Sequence, residues 1–148
     1  MTLRERLNDE MKEAMRAKDK DRLGTLRLIL AEVKKKEIDE KVTVTDEVMV
    51  AIASKMIKER KDSSAQYQAA GRQDLVDKEE GEISVISGFL PPQLTADELD
   101  SLISEAITAS GAASPKEMGK VIALLKPKVQ GRTDMGRLSA LVKEALSR

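Results

Sequence analysis

The sequence predicts an all-α protein, with an N-terminal four-helix lobe over residues 1–90 and a C-terminal three-helix bundle over residues 91–148. Three observations carry this. Apolar residues recur at alternating spacings of three and four, which puts them on one face of a helix. Capping residues punctuate those runs, and the Pro91-Pro92 pair interrupts them once, because proline lacks the backbone donor and forces its predecessor out of helical geometry. No alternation of β-branched and polar residues is long enough to argue for a sheet; Val42 to Val44 is short and ambiguous.

The elements follow in order. Thr2 with Glu5 forms a capping box before a first helix with Leu3, Leu7, Met11 and Met15 on one face, ending near Ala17. A second helix begins around Asp19 to Asp21 and places Leu23, Leu26, Leu30 and Val33 in a seam widened by Leu28 and Ile29, so that the two helices form a hairpin. After a linker at Lys41 to Val44, Thr45 opens a long third helix with Val48, Ile52, Met56 and Ile57 inward; its second half, KERKDSSAQ, is very polar, and Gly71 supplies the stop. Asp74 is the expected cap of a fourth, acidic helix with Leu75, Ile83, Ile86 and Leu90 inward, ending at Gly88 and the prolines. The segment Leu90 to Leu94 then reads as an exposed hinge.

Beyond it, Thr95 with Glu98 caps a fifth helix carrying Leu99, Leu102, Ile103, Ala106 and Ile107, with Gly111 as the stop. Ser114-Pro115 opens a sixth with Met118, Val121, Ile122 and Leu125, which Pro127 is expected to close. The loop KPKVQGRT leads to Asp134, the expected cap of a last helix with Leu138, Leu141, Val142, Ala145 and Leu146 inward.

Composition narrows the chemistry. The 148 residues include one Tyr, one Phe and no Trp, leaving aliphatic side chains and Met to fill the interior. The chain has neither Cys nor His. Disulfides, thiolate catalysis and Cys-ligated metal are excluded, and the usual neutral-pH general base is missing. No GxxxxGKS/T or GxGxxG motif is present, so no nucleotide or other cofactor is expected. No apolar run approaches the ~18–20 residues that cross a bilayer, and Met1 to Asp9 has neither a signal-peptide core nor a lipidation motif. The expected location is the cytoplasm, without a membrane partner. Net charge is zero but uneven: Met1 to Arg72 sums to +3 (17 basic, 14 acidic), Gln73 to Glu105 to −8 (1 basic, 9 acidic) and Lys116 to Arg148 to +5 (8 basic, 3 acidic).

Two blocks resemble a known family. RKDSSAQYQAAGRQDLVDKEEGEISVISGFLPPQL, from Arg60 to Leu94, looks like the signature of the GatB/YqeY family, and MGKVIALLKPKVQGRTDMGRLSALVKEAL, from Met118 to Leu146, is similar to its C-terminal block. TLRLILAEVKKKEID at Thr25 to Asp39 also fits, so the resemblance covers nearly the whole chain. One departure is Pro92, where that pattern leads one to expect an acidic residue. The resemblance implies two helical lobes and a relation to the tail of the transamidating subunit of tRNA amidotransferase. In that enzyme glutaminase chemistry belongs to an amidase subunit, phosphorylation and transamidation to the cradle domain of the transamidating subunit, and the tail holds tRNA. A chain resembling only the helical and tail parts is therefore expected to bind tRNA or structured RNA rather than to catalyse. The carbon-nitrogen ligase label attached to the family describes the larger enzyme. Amidotransferase or translation-related proteins are the further partners it suggests, and no DNA is expected.

Within that frame Lys120, Lys126, Lys128, Arg132 and Arg137 form the candidate RNA-binding set, around a helix end and Gly131, where a backbone could approach phosphate. The plain alternative is a solvated basic surface. With Tyr67 and Phe89 the only aromatics, any RNA reading would use backbone shape and not base stacking. Lys34, Lys35 and Lys36 already have a reason to exist at a helix C-terminus. Tyr67, Gly71, Arg72 and Asp74 form a YxxAGRxD turn that either meets a partner or orients two helices. Asp77, Glu79, Glu80 and Glu82 would splay around a helix, so no metal site is expected there. Ser63 and Ser64 with Lys58 or Lys61 lack the loop that would supply an oxyanion hole, so no catalytic residue is assigned. The rival function is a protein-interaction module that docks a partner on the polar third and acidic fourth helices.

Overall fold

The computed structural model describes residues 1–148 and is all-α: α1 (Leu3–Arg16), α2 (Lys20–Glu40), α3 (Asp46–Ala69), α4 (Gln73–Ser87), α5 (Ala96–Ser110), α6 (Met118–Val129) and α7 (Met135–Leu146), with a 3₁₀ turn at Pro115–Glu117 leading into α6. The chain divides into two compact units, Met1–Leu90 and Pro91–Arg148.

In the first unit, Leu7, Ala14, Leu26, Ile29, Val33, Met49, Ala53, Met56, Ile57, Ile86 and Phe89 form the core. The capping box at Thr2 and Glu5 is made in both directions, and Asp19 and Thr45 cap α2 and α3 through their side chains. These bonds satisfy donors that the first turn of a helix leaves unpaired. Two residues assigned inward face out: Met15 and Leu28 are exposed. Ala14 and Thr25 are buried on those helices instead, and the Thr25 hydroxyl donates to Asp21 O (3.2 Å), so its burial leaves no polar group unpaired. A small residue at a helix crossing lets the axes approach, which spacing alone does not reveal.

The α3/α4 pair is the most extensive helix interface of the chain. Its turn is closed by Gly71 at φ +71° and by Arg72 N–H donating to Tyr67 O at 2.9 Å. Asp74 does not cap α4. The helix begins at Gln73, its N-cap is Arg72 without a side-chain bond, and the Asp74 carboxylate is instead taken by the Arg72 guanidinium.

In the second unit, Leu99, Ile103, Ala106, Ala112, Val121, Leu125, Val129, Leu138, Val142 and Leu146 form the core. The Thr95/Glu98 box and left-handed Gly111 (φ +69°) bound α5 as the sequence indicates. Pro127, however, does not end α6, which runs on to Val129. The missing proline donor would have paired with the carbonyl of exposed Ala123, so that acceptor lies on the solvated side of the helix. Burial of Val129, which is 0% exposed, holds the last turn in place. The α6–α7 loop is thus only residues 130–134, with Asp134 accepting from Gly136 N–H at 2.9 Å.

The segment Pro91 to Leu94 belongs to the second unit. Pro92 and Gln93 are exposed. Even so, Leu94 N–H donates to Arg132 O (2.9 Å), Gln93 Nε2 to Gly131 O (2.8 Å) and Arg132 Nε to Pro92 O (3.0 Å). These three bonds strap the segment to the α6–α7 loop.

Candidate nucleic-acid interface

The five candidate cations are spread over three elements of the second unit. Lys120, Lys126 and Lys128 lie on α6, Arg132 in the following loop and Arg137 in the first turn of α7. All are exposed except Arg132, which is half-buried. Extending α6 through Pro127 moves Lys126 and Lys128 from a predicted loop onto a helix. At 3.6 residues per turn they diverge by about 200°, so they flank the buried Val121, Leu125 and Val129 stripe on opposite sides.

Lys120 and Lys128 do share a line. They are two steps of four residues apart, with Leu124 between them, a leucine left 44% exposed. Exposed Lys116 precedes this line in the 3₁₀ turn and Arg132 follows it in the loop, so neither continues its helical spacing. Lys116 is outside the set assigned from sequence.

None of these cations is in an ion pair. The seven ion pairs of the chain engage Arg4, Arg6, Arg22, Lys36, Arg60, Arg72 and Arg148, only the last in the second unit. Arg132 is committed differently: besides the side-chain bond to Pro92, its own N–H donates to Val129 O at 2.8 Å. Gly131 adopts φ +73° and its carbonyl accepts from Gln93 Nε2.

The other sequence candidates fall as follows. Lys34 and Lys35 are exposed, and Lys36 pairs with Glu40 at 3.2 Å on the same helix. Ser64 is 5% exposed and donates to Glu80 Oε1 at 3.1 Å, while Lys58 and Lys61 face solvent. Glu82 bonds Arg60 Nε at 2.8 Å. Asp77, Glu79, Glu80 and Glu82 do not converge into a group able to hold a metal ion. Half of that acidic cluster therefore turns toward α3. At the α3–α4 turn the Arg72–Asp74 fork holds the Asp74 carboxyl below the usual carboxylate range, chiefly by hydrogen bonding, and the same bond raises the guanidinium.

A concavity of about 440 Å³ lies in the first unit between α2 and α3. Val48, Ile52 and Met56 line it among charges of both signs, including Glu32, Lys35 and Lys55. No helix is long and apolar enough to cross a membrane.

Residues 4–146 match the family described as Yqey-like protein. Among curated proteins the chain is similar to altered inheritance of mitochondria protein 41, mitochondrial. The Kluyveromyces lactis protein is 36% identical over 74% of this chain and 60% of its own length. The Vanderwaltozyma polyspora protein is 39% identical over 67% of this chain and 55% of its own. The Pyrenophora tritici-repentis protein is 30% identical over 86% of this chain and 71% of its own. The chain thus spans between a half and two thirds of the length of the first two relatives. These names overturn the expected cytoplasmic location, since the relatives are mitochondrial proteins. The physical reason for the error is that lacking an apolar span says nothing about which aqueous compartment a helical protein occupies.

Proposed function

The chain belongs to the YqeY-like family, and from that premise we propose that it holds tRNA or another structured RNA on the outer face of α6, without a reaction of its own. The observation that carries this reading is the row of unpaired cations on the second unit. Lys120 and Lys128 on α6, eight residues apart, and Lys116 in the turn before it have no acidic partner within ion-pair distance. Such a row neutralises successive phosphates and releases their counterions on binding. Lys and Arg contacts of this kind fix orientation on a nucleic acid without reading bases. The resemblance of Met118 to Leu146 to the tRNA-holding tail of the amidotransferase supports the same ligand.

A protein-interaction module is the other reading. The polar second half of α3 and the acidic face of α4 were its docking surfaces, and the Arg60–Glu82 and Ser64–Glu80 bonds direct part of both toward one another. That weighs against the reading in this form.

The test is tRNA binding followed over a salt series, beside a helical protein of matched size and charge. Specific affinity should fall as salt rises, with a slope of log affinity against log salt of about 0.7–0.9 per phosphate contacted. Affinity no better than that of the control protein would refute the proposal.

A further inference from the structure

Resting on the RNA reading, we propose that Arg132 is a pre-aimed phosphate fork, held in its binding orientation by the Pro91–Leu94 strap before any ligand arrives. The side chain of Arg132 is fixed at one edge, where Nε donates to Pro92 O at 3.0 Å. Its backbone is fixed at both ends, the N–H by Val129 O (2.8 Å) and the carbonyl by Leu94 N–H (2.9 Å). Gln93 fastens the strap one residue away, through Gly131 O at 2.8 Å.

A guanidinium carries five N–H donors in one plane. Only the Nε donor is used here. The two terminal nitrogens make no hydrogen bond and no ion pair, and neither is among the buried unpartnered atoms of the chain, so both open to solvent. The plane of the fork is therefore set while its outer donors stay free, an arrangement suited to bidentate capture of a phosphate.

Lys120 and Lys128 lie on α6, and Arg132 follows in the loop beyond its last turn. The lysines are exposed flexible stems, and each must be immobilised on binding, which costs roughly two- to tenfold in affinity per side chain. Arg132 has already been ordered by folding. It is the one cation of the candidate set whose geometry, and not only its charge, contributes to binding.

Arg132→Lys separates these contributions, since it keeps the charge and removes both the Nε anchor and the fork. Expected is a loss of about tenfold in tRNA affinity with an unchanged salt slope. Lys128→Arg, made at a flexible position, should leave affinity within about twofold of wild type. Gln93→Ala, which loosens the strap without touching the guanidinium, should weaken tRNA binding by less than Arg132→Lys does and again leave the salt slope unchanged, with a circular-dichroism melt of each variant as the control for fold. If Arg132→Lys does not fold, the wild-type Arg132 Nε–H resonance decides, by exchanging slowly without RNA and shifting when tRNA is added. Wild-type affinity in a folded Arg132→Lys, or an Nε–H that exchanges freely before RNA is added, overturns the fork while RNA binding by wild type stands. Failure of the wild type to bind tRNA removes the underlying RNA reading, and the fork with it.

Discussion

Arg60 Nε donates to Glu82 Oε2 across 2.8 Å, joining α3 to α4 with both side chains under one-fifth exposed. Arg60 also gives its terminal nitrogen to Met56 O on its own helix at 3.2 Å. Four residues further along α3, Ser64 donates to Glu80. The two pairs lie almost symmetrically about the Gly71 turn, as an antiparallel helical hairpin requires. Removing either charge leaves the other partly buried without its counter-ion. Glu82→Gln and Arg60→Met should each destabilise the first unit by about 1–3 kcal/mol, a range discounted for residual solvent access. The double variant should be less destabilised than the two singles added together, and a double-mutant cycle by denaturant unfolding checks the coupling.

The Arg72–Asp74 fork gives a pH prediction. Asp74 is held below its ordinary value, so the favourable contact is fully present above the unfolded carboxylate's pKa and is lost as pH falls through the lower folded one. The window is acidic, and above it Asp74 contributes no pH dependence. In Arg72→Ala the Asp74 carboxyl should titrate at a higher pH, toward an unperturbed carboxylate, in an NMR titration. An unmoved Asp74 would show that the backbone N–H groups of the turn, and not the guanidinium, hold its charge.

Pro127 supplies a stability prediction of the opposite sign. It sits in the last turn of α6, where its ring leaves the Ala123 carbonyl without an intrahelical donor. Pro127→Ala restores that donor at a position already helical. The gain is opposed by ~0.4–1 kcal/mol of added freedom in the unfolded chain. Net stabilisation of about 1 kcal/mol is expected for the second unit, read as a raised denaturation midpoint. A lowered midpoint would mean that the proline shapes the turn at Gln130 and is not merely tolerated.

Elements fixed by local chemistry were legible in the sequence, and those settled by tertiary contact were not. The Thr2/Glu5 and Thr95/Glu98 boxes and the Gly71 and Gly111 stops are short-range signals, and each occurs where its residues place it. Pro127 misleads because a local rule predicts a break, while burial of Val129 keeps the turn helical. Asp74 misleads for a related reason: the helix already begins at Gln73, and the chief partner of the carboxylate is a guanidinium two residues away. For the candidate interface, charge was legible and direction was not. Lys126 and Lys128 look like one loop patch until the helix runs through them, and Arg132 looks like a free cation until the strap is seen.

That change of direction yields the sharpest test of the interface. If RNA lies along the line of Lys120, Leu124 and Lys128, then Lys126, about 200° around α6 from Lys128, points away from it. Lys120→Glu with Lys128→Glu should therefore reduce tRNA affinity by tenfold or more, on the order expected for reversing two phosphate contacts, and flatten the salt slope by about 1.4–1.8. Lys126→Glu should stay within about twofold of wild type, because at physiological salt the screening length is about 8 Å and an off-face charge is largely hidden. Leu124→Asp adds a charge to the line without removing a cation, and should weaken binding while leaving the buried Val121, Leu125 and Val129 stripe intact. Circular dichroism should be unchanged in all three, since every altered side chain is exposed. Equal losses from Lys126→Glu and from the Lys120/Lys128 pair would mean that only net charge attracts the RNA, and no oriented face of α6 would remain to defend.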